Sequence, residues 1–249
     1  MNIRLFIFSI FAMLCVSQVN ANTTITVQYT GCVEETNVIF KHQPSLLELL
    51  KFPTVKPCAY SFATALMQPQ LLSIQKDQKE RLLNNIQLLQ LNENSTALNQ
   101  YLRWLKGLIQ LQPITGRVLG LELDSTRVEI IPLQNKIFSN SLTLHFPKRL
   151  RLINFIGANK DQMYYRPVLT LDDYLTKNPL FDFFEKGYVY VVQANAEVER
   201  VKVGYWNHQK HYLSPGSWVI GLLKPSVIDG VAPSFNEDLS KWLATQVLP

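Results

Sequence analysis

Four groups of side chains in this sequence have types and spacings that could do chemistry. Asp172 and Asp173 stand side by side in "VLTLDDYLTKNP", residues 168 to 179, and Glu122 and Asp124 alternate in "LGLELD". Paired carboxylates are the equipment of glycoside hydrolysis, and alternate strand residues share a face at about 7 Å, within the separation used by inverting enzymes. His208 and His211 lie three apart near Trp206 and carry nitrogens that could ligate a metal. Arg117 follows Thr115 and Gly116, and a guanidinium there could hold a carboxylate or a sugar acid through a two-bond fork.

The elements that must position these groups argue against catalysis. Asp173 falls three residues after Thr170 and ahead of apolar residues, the capping-box arrangement, where an acid satisfies backbone donors at the positive end of a helix. Asp172 then points about 100° away, so the two do not share one face or one substrate atom. The Glu122 and Asp124 spacing is that of any solvated strand. On a strand or turn, residues 208 and 211 fall on opposite faces, which argues against a metal site. No G-x-S-x-G elbow, Walker-type loop or H-E-x-x-H helix occurs. The sequence therefore predicts no catalytic residue, no metal and no cofactor. For Arg117 two readings stand side by side: ligand binding, or an internal salt bridge to Asp124 or Glu122.

An internal repeat at an offset of 125 organises the chain. It lays "ITVQY" from Ile25 on "LRLIN" from Leu150, and "VIF" at 38 to 40 on "MYY" at 163 to 165. Ser45, Leu46, Glu48 and Leu50 fall on Thr170, Leu171, Asp173 and Leu175, so each copy predicts a strand, a loop, a strand and a capped helix. Between Pro69 and Gln112 the texture changes. Leu82, Leu83, Ile86 and Leu89, then Leu98, Tyr101, Leu102, Leu105, Leu108 and Ile109, form two helical stripes broken by "NENS" at 92 to 95. Strands are predicted again in "VLGLELD", "RVEIIP" and "LTLHF", and in the second copy in "YVYVVQ", "ERVKVGYW" and "SWVIGLL". A last amphipathic helix is predicted from Ser234 to Leu248, with a capping box of Ser234 and Glu237 and an apolar face of Phe235, Leu239, Trp242, Leu243 and Val247. This is an α+β chain of two small domains, each with strands wrapped on one helix.

The first 21 residues have the form of a cleavable signal peptide: Arg4, an apolar run from Leu5 to Val16, then Val19 and Ala21 before a polar start. That run is too short for an anchor, and no later stretch approaches the ~20 apolar residues of a membrane span. The remaining Cys32 and Cys58 form an even pair in an exported chain and are expected to be bonded to each other. The net charge of +5 is spread out, with no basic run interleaved with aromatics, so nucleic acid is not an expected partner.

"ITGR" at 114 to 117, "LTLDDYLTKNP" at 169 to 179, "YWNHQKHYLSPGSWVIGL" at 205 to 222 and the closing helix together resemble the capsule-biosynthesis GfcC family. The family consists of periplasmic proteins of capsule and exopolysaccharide operons, similar in architecture to outer-membrane polysaccharide exporters. The resemblance implies two tandem β-grasp domains, residues 22–147 with a helical hairpin inserted at 69–112 and residues 148–232, followed by a C-terminal amphipathic helix over 233–249. It implies a monomeric, non-enzymatic accessory protein of the Gram-negative periplasm, working with surface polysaccharide or capsule export proteins and not inserting stably in the membrane. A periplasmic glycan-modifying hydrolase is the alternative. Arg117, Thr115, Trp206 and His208 are the residues expected to face a ligand or partner.

Overall fold

The computed structural model describes residues 23–29, 34–52, 57–204 and 210–249. Its first sheet comprises β1 (Thr23–Tyr29), β2 (Glu34–Phe40), β3 (Ala65–Met67) and β4 (Leu142–Phe146), in the order β2-β1-β4-β3. β1 runs antiparallel to β2 and parallel to β4, with Ile25 opposite Leu142. Helix α1 (Leu46–Lys51) buries Leu46, Leu49 and Leu50 against Ile25, Leu66 and Leu144.

The chain leaves this sheet after β3 as two long helices, α2 (Leu72–Asn92) and α3 (Thr96–Leu111), and returns through α4 (Ser125–Ile130) to β4. The break falls at "NENS" as the periodicity predicts, and Ser95 caps α3 by accepting from the Leu98 amide. Between sequence and packing there is a difference of place. The hairpin is inserted among the strands of the first sheet, but its apolar faces lie on the second.

That second sheet comprises β5 (Leu152–Ile156), β6 (Gln162–Tyr164), β7 (Phe184–Val192), β8 (Val198–Lys202) and β9 (Trp218–Leu223), in the order β6-β5-β9-β7-β8. On one face α5 (Leu171–Lys177) packs Leu171 and Tyr174 against Ile153, Phe155, Val189 and Val219. The opposite face presents Ile156, Phe184, Val192, Ile220 and Leu223 to the hairpin and to α7 (Phe235–Ala244), which follows the single turn α6 (Pro225–Ile228). Cover on both faces explains why "WVIGLL" reads as a continuous apolar run: a strand with no solvated side does not alternate.

The two capped helices sit where the repeat places them. In α1 the Glu48 amide donates to Ser45 Oγ at 3.3 Å, and the Ser45 amide returns a bond to Glu48 Oε2 at 2.8 Å. In α5 the Asp173 amide donates to Thr170 Oγ1 at 3.3 Å, and the Thr170 amide donates to Asp173 Oδ2 at 2.8 Å. The bond from the Thr170 backbone, then that from its hydroxyl, holds the Asp173 carboxyl below its usual range. Asp172 points elsewhere, accepting a 3.2 Å bond from the Gly204 amide. Replacing Asp173 with Ala is therefore expected to lower the melting temperature measurably, and Asp172→Asn to move it less. Because the Asp173 pKa is depressed on folding, its share of stability is present above the unfolded value and lost as pH falls below it. Loss of surface polysaccharide from either variant at an unchanged melting temperature would contradict the structural role.

Several expected elements differ. "VLGLELD" forms no strand: its Val118 amide donates to the Leu66 carbonyl of β3 beside a single Arg117–Met67 bridge, the run then turns at Gly120 with φ of +71°, and Val118, Leu121 and Leu123 pack into the first core. "RVEIIP" is not a strand, because Asp124 Oδ1 accepts from the Thr126 and Arg127 amides and starts α4 there. The second copy's first strand begins at Leu152, so "LRLIN" is only partly sheet. Helix α7 stops at Ala244, short of Val247, and its expected capping box does not form. Ser234 has ψ near 0°, and its hydroxyl donates to Asp238 at 2.6 Å while Glu237 pairs with Lys241.

Candidate functional site: a buried tail lock beside an aromatic groove

After α3 the chain runs through residues 113–117 under α2. Gly116 has φ of +72°, and a Cβ there would stand 2.6 Å from the Gln68 carbonyl oxygen, so a side chain is excluded on both counts. Gln75, buried on α2, reads this backbone from the other side. Its Oε1 accepts from the Gly116 amide at 2.8 Å and the Thr115 amide at 3.2 Å, and its Nε2 donates to the Arg117 carbonyl at 3.1 Å.

This rigid strap aims Arg117 inward. The residue is 4% exposed, and its guanidinium donates to the Gln246 carbonyl at 2.7 Å, the Ala244 carbonyl at 3.4 Å and the Ala194 carbonyl at 3.0 Å. Thr115 Oγ1 donates to the Thr245 carbonyl at 2.6 Å. The carbonyls at the end of α7 lack helical partners and carry the negative end of its dipole, so a cation and a hydroxyl satisfy them together. Burial pulls the Arg117 pKa down to about 10, which leaves it charged at neutral pH.

Further bonds hold the same tail. Trp242 Nε1 donates to Gln112 Oε1 at 2.6 Å, and His145 on β4 bonds the Leu248 carbonyl at 2.9 Å. Residues 244–248 are thus tied to the first sheet by His145 and to the hairpin's exit by Arg117 and Thr115, and Arg117 carries the link on to the Ala194 carbonyl just beyond β7. Burial lowers the His145 pKa, opposed by the bond to the Leu248 carbonyl and assisted by the charge of Arg117. Below pH ~6.5 the unfolded chain takes up a proton that the folded His145 refuses, so stability falls as pH drops from there towards the lowered value. Melting curves from pH 7 to 5 are expected to slope less for His145→Gln than for the natural protein, and parallel slopes would remove this assignment.

Beside the lock opens a groove of about 350 Å³ lined by residues that follow or precede both sheets. Tyr60 and Phe62 come from the segment before β3, Arg149 from the link into β5, and Tyr165 and Tyr212 from the second half. The Arg149 guanidinium lies 5.6 Å from the Tyr60 ring centre and 6.0 Å from that of Tyr165. Phe62 and Tyr212 are 49% and 52% exposed. The wall beneath is fixed: Gln193 Oε1 accepts from the Ser214 amide, the Ser214 hydroxyl and the Ser217 hydroxyl, all within 2.9 Å. Aromatic faces that can lie against apolar surface, beside a wall where Arg149 stands with Glu197 and Glu199, suit a sugar ring held by stacking and by hydrogen bonds to its hydroxyls.

The structure therefore separates residues that the sequence grouped. Arg117 and Thr115 are turned into the lock, facing main-chain carbonyls instead of solvent. Glu122 pairs with Arg127 at 3.2 Å, so the Arg117 salt bridge to Glu122 or Asp124 does not form. Trp206, His208 and Cys32 lie outside the described residues. His211 Nδ1 faces Glu199 at 3.5 Å, and among the described residues no three His, Cys, Asp or Glu side chains converge as metal ligands. Arg149 stands in "PKRLRL" at 147 to 152, where alternation of basic and apolar residues reads as a strand edge and carries no mark of a groove. Tyr212 lay within the "YWNHQKHYLSPGSWVIGL" segment already singled out.

No described helix is long and apolar enough to cross a membrane. No curated protein matches the chain. Residues 159–248, from the β5 to β6 turn to the end of the locked tail, match the family described as capsule biosynthesis GfcC C-terminal.

Proposed function

We propose that this protein is a non-enzymatic periplasmic accessory factor in the assembly or export of a capsule or exopolysaccharide, working through surface grooves on two tandem β-grasp domains. The observation that carries the reading is the match of residues 159–248 to a capsule-biosynthesis family. The strand orders support the domain assignment. Each sheet puts its first strand between an antiparallel neighbour and a later parallel strand, with a helix crossing one face. In this reading residues 22–147 and 148–232 are the two domains and 233–249 the amphipathic helix. Residues 1–21 direct export, and Cys32 is bonded to Cys58 in the oxidising periplasm. Peptide mapping of unreduced, alkylated protein should recover that pair as one linked species, and two alkylated cysteines would refute it. Trp206 and His208, in the same segment as Tyr212, are proposed to meet the ligand or partner.

The carboxylates that a hydrolase would use are occupied otherwise: Asp173 and Asp124 cap helices, and Glu122 pairs with Arg127. The decisive experiment is deletion of the gene in its own strain, with envelope pull-downs of the mature protein in the presence and absence of the exporter. Surface polysaccharide should be lost on deletion and restored by complementation, and the pull-down should recover export components or polymer. Unchanged polysaccharide on deletion would overturn the proposal, and cleavage of isolated polymer by the purified protein would replace it with hydrolysis.

A further inference from the structure

We infer that the cavity between α3 and the turns at 157–161 and 178–183 is a second glycan site, distinct from the Arg149 groove, which takes one uncharged pyranose unit of the polysaccharide. The inference rests on the proposed function only for the source of the glycan. The cavity itself, of about 350 Å³, is read from its walls.

Those walls have two chemistries. One is a connected run of rings: Trp104 to Tyr101 at 5.8 Å between centres, Tyr101 to Phe183 at 5.5 Å, and Phe183 to Phe181 at 5.5 Å. Trp104 and Phe181 remain partly open to solvent. The other is a rim of Gln100, Asn159 and Asp161, whose side chains make no hydrogen bond among the described residues. Tyr101 lines the cavity, is 6% exposed, and has a buried hydroxyl with no hydrogen-bond partner among the described residues. That hydroxyl is closed to solvent, so what Tyr101 offers the cavity is its ring.

This combination selects the occupant. An acyl chain would fill the apolar part but strip water from the rim amides and carboxylate with nothing to replace it. A pyranose ring has an apolar face of C–H groups for the rings and equatorial hydroxyls for Gln100, Asn159 and Asp161. Asp161, the acid on the rim, accepts from hydroxyl donors and repels a uronic acid.

The site is also preformed. Gly157 has φ of +90°, and a Cβ there would collide with the Phe184 ring at 2.4 Å, so the turn lies tight on the aromatic floor. The Phe181 amide donates to the Gly157 carbonyl at 2.9 Å. Asn178, wholly buried, accepts from the Lys160 amide at 2.8 Å and donates to the Lys160 carbonyl at 2.9 Å. A rim fixed before binding loses little freedom when a sugar arrives.

The test uses the mature full-length protein and, as probe, oligosaccharides released by mild acid from the strain's own surface polysaccharide. Affinity is measured by calorimetry, with saturation-transfer NMR to identify the touched sugar protons. Trp104→Ala is expected to weaken binding about tenfold, the loss of one stacked ring with its burial. Because Trp104 also packs on the hairpin, the doubly substituted Asn159→Ala, Asp161→Ala protein serves as a fold-neutral companion and should weaken binding several-fold with an unchanged melting temperature. Arg149→Ala should reduce affinity independently. Full affinity in both rim and Trp104 variants, with loss only in Arg149→Ala, would overturn this site and leave the proposed function intact. No binding by the natural protein would overturn this site as well, while the deletion phenotype would judge the wider proposal separately.

Discussion

A chain ending at Pro233 is expected to lose its cooperative unfolding transition and to expose apolar surface that binds hydrophobic dyes. The missing segment carries Phe235, Leu239, Trp242 and Leu243, each within 2% of full burial, in the cluster shared by the hairpin and the second sheet. At roughly 1.5 to 3 kcal/mol per buried side chain, their loss amounts to about 6 to 12 kcal/mol, as large as the whole stability of an ordinary domain. The same truncation strips Arg117 of the Ala244 and Gln246 carbonyls and leaves a buried cation short of acceptors. Circular dichroism on heating decides the matter. A sharp transition within a few degrees of the full mature protein would show that α7 is dispensable to the fold. The helix has ten residues, a rise of about 15 Å against the ~30 Å apolar core of a bilayer, so its apolar face is covered by α2 and the second sheet rather than by lipid.

Arg117→Ala is expected to destabilise the protein by about 3 to 5 kcal/mol, because it leaves three buried carbonyls without their donor and removes the counter-charge at the end of α7. For a chain of this size that corresponds to a fall of roughly 10 °C in melting temperature. Arg117→Lys keeps the charge but a single ammonium cannot reach the Ala194 and Gln246 carbonyls with the geometry of the planar fork, so about half the loss should remain. A melting temperature within about 2 °C of the natural protein for Arg117→Ala would show that the tail is held without it. Loss of surface polysaccharide in these variants would follow from loss of the fold. Arg149→Ala is the contrasting case: an exposed groove cation whose removal should lower glycan affinity and spare stability.

How far the sequence reaches is clearest at three places. The helix entries at Ser45 and Thr170 are legible from four consecutive side chains, because a capping box is completed within one turn and needs nothing from the rest of the molecule. The hairpin stripes and the break at 92 to 95 are legible for the same local reason, a period of 3.6 interrupted by residues that favour caps. The family resemblance rests on segments such as "LTLDDYLTKNP" and "YWNHQKHYLSPGSWVIGL", which lie largely in the part that matches.

What the sequence could not give was partnership across long separations. Nothing near residue 117 indicates that its guanidinium meets carbonyls 77 and 129 positions away, since main-chain acceptors leave no mark on composition. The run "VLGLELD" places Val118, Leu121 and Leu123 in a core without forming a strand, and apolar alternation alone does not say whether a neighbouring strand exists to pair with it. The two grooves draw their aromatic and polar walls from segments spread between residues 60 and 215, and no spacing rule joins Trp104 to Phe181 or Tyr60 to Arg149. Local hydrogen bonding and periodicity, which act over a turn or two, were therefore fixed by sequence alone. The lock and the binding surfaces depend on which faces meet after the hairpin folds onto the second sheet, and only the tertiary structure decides that.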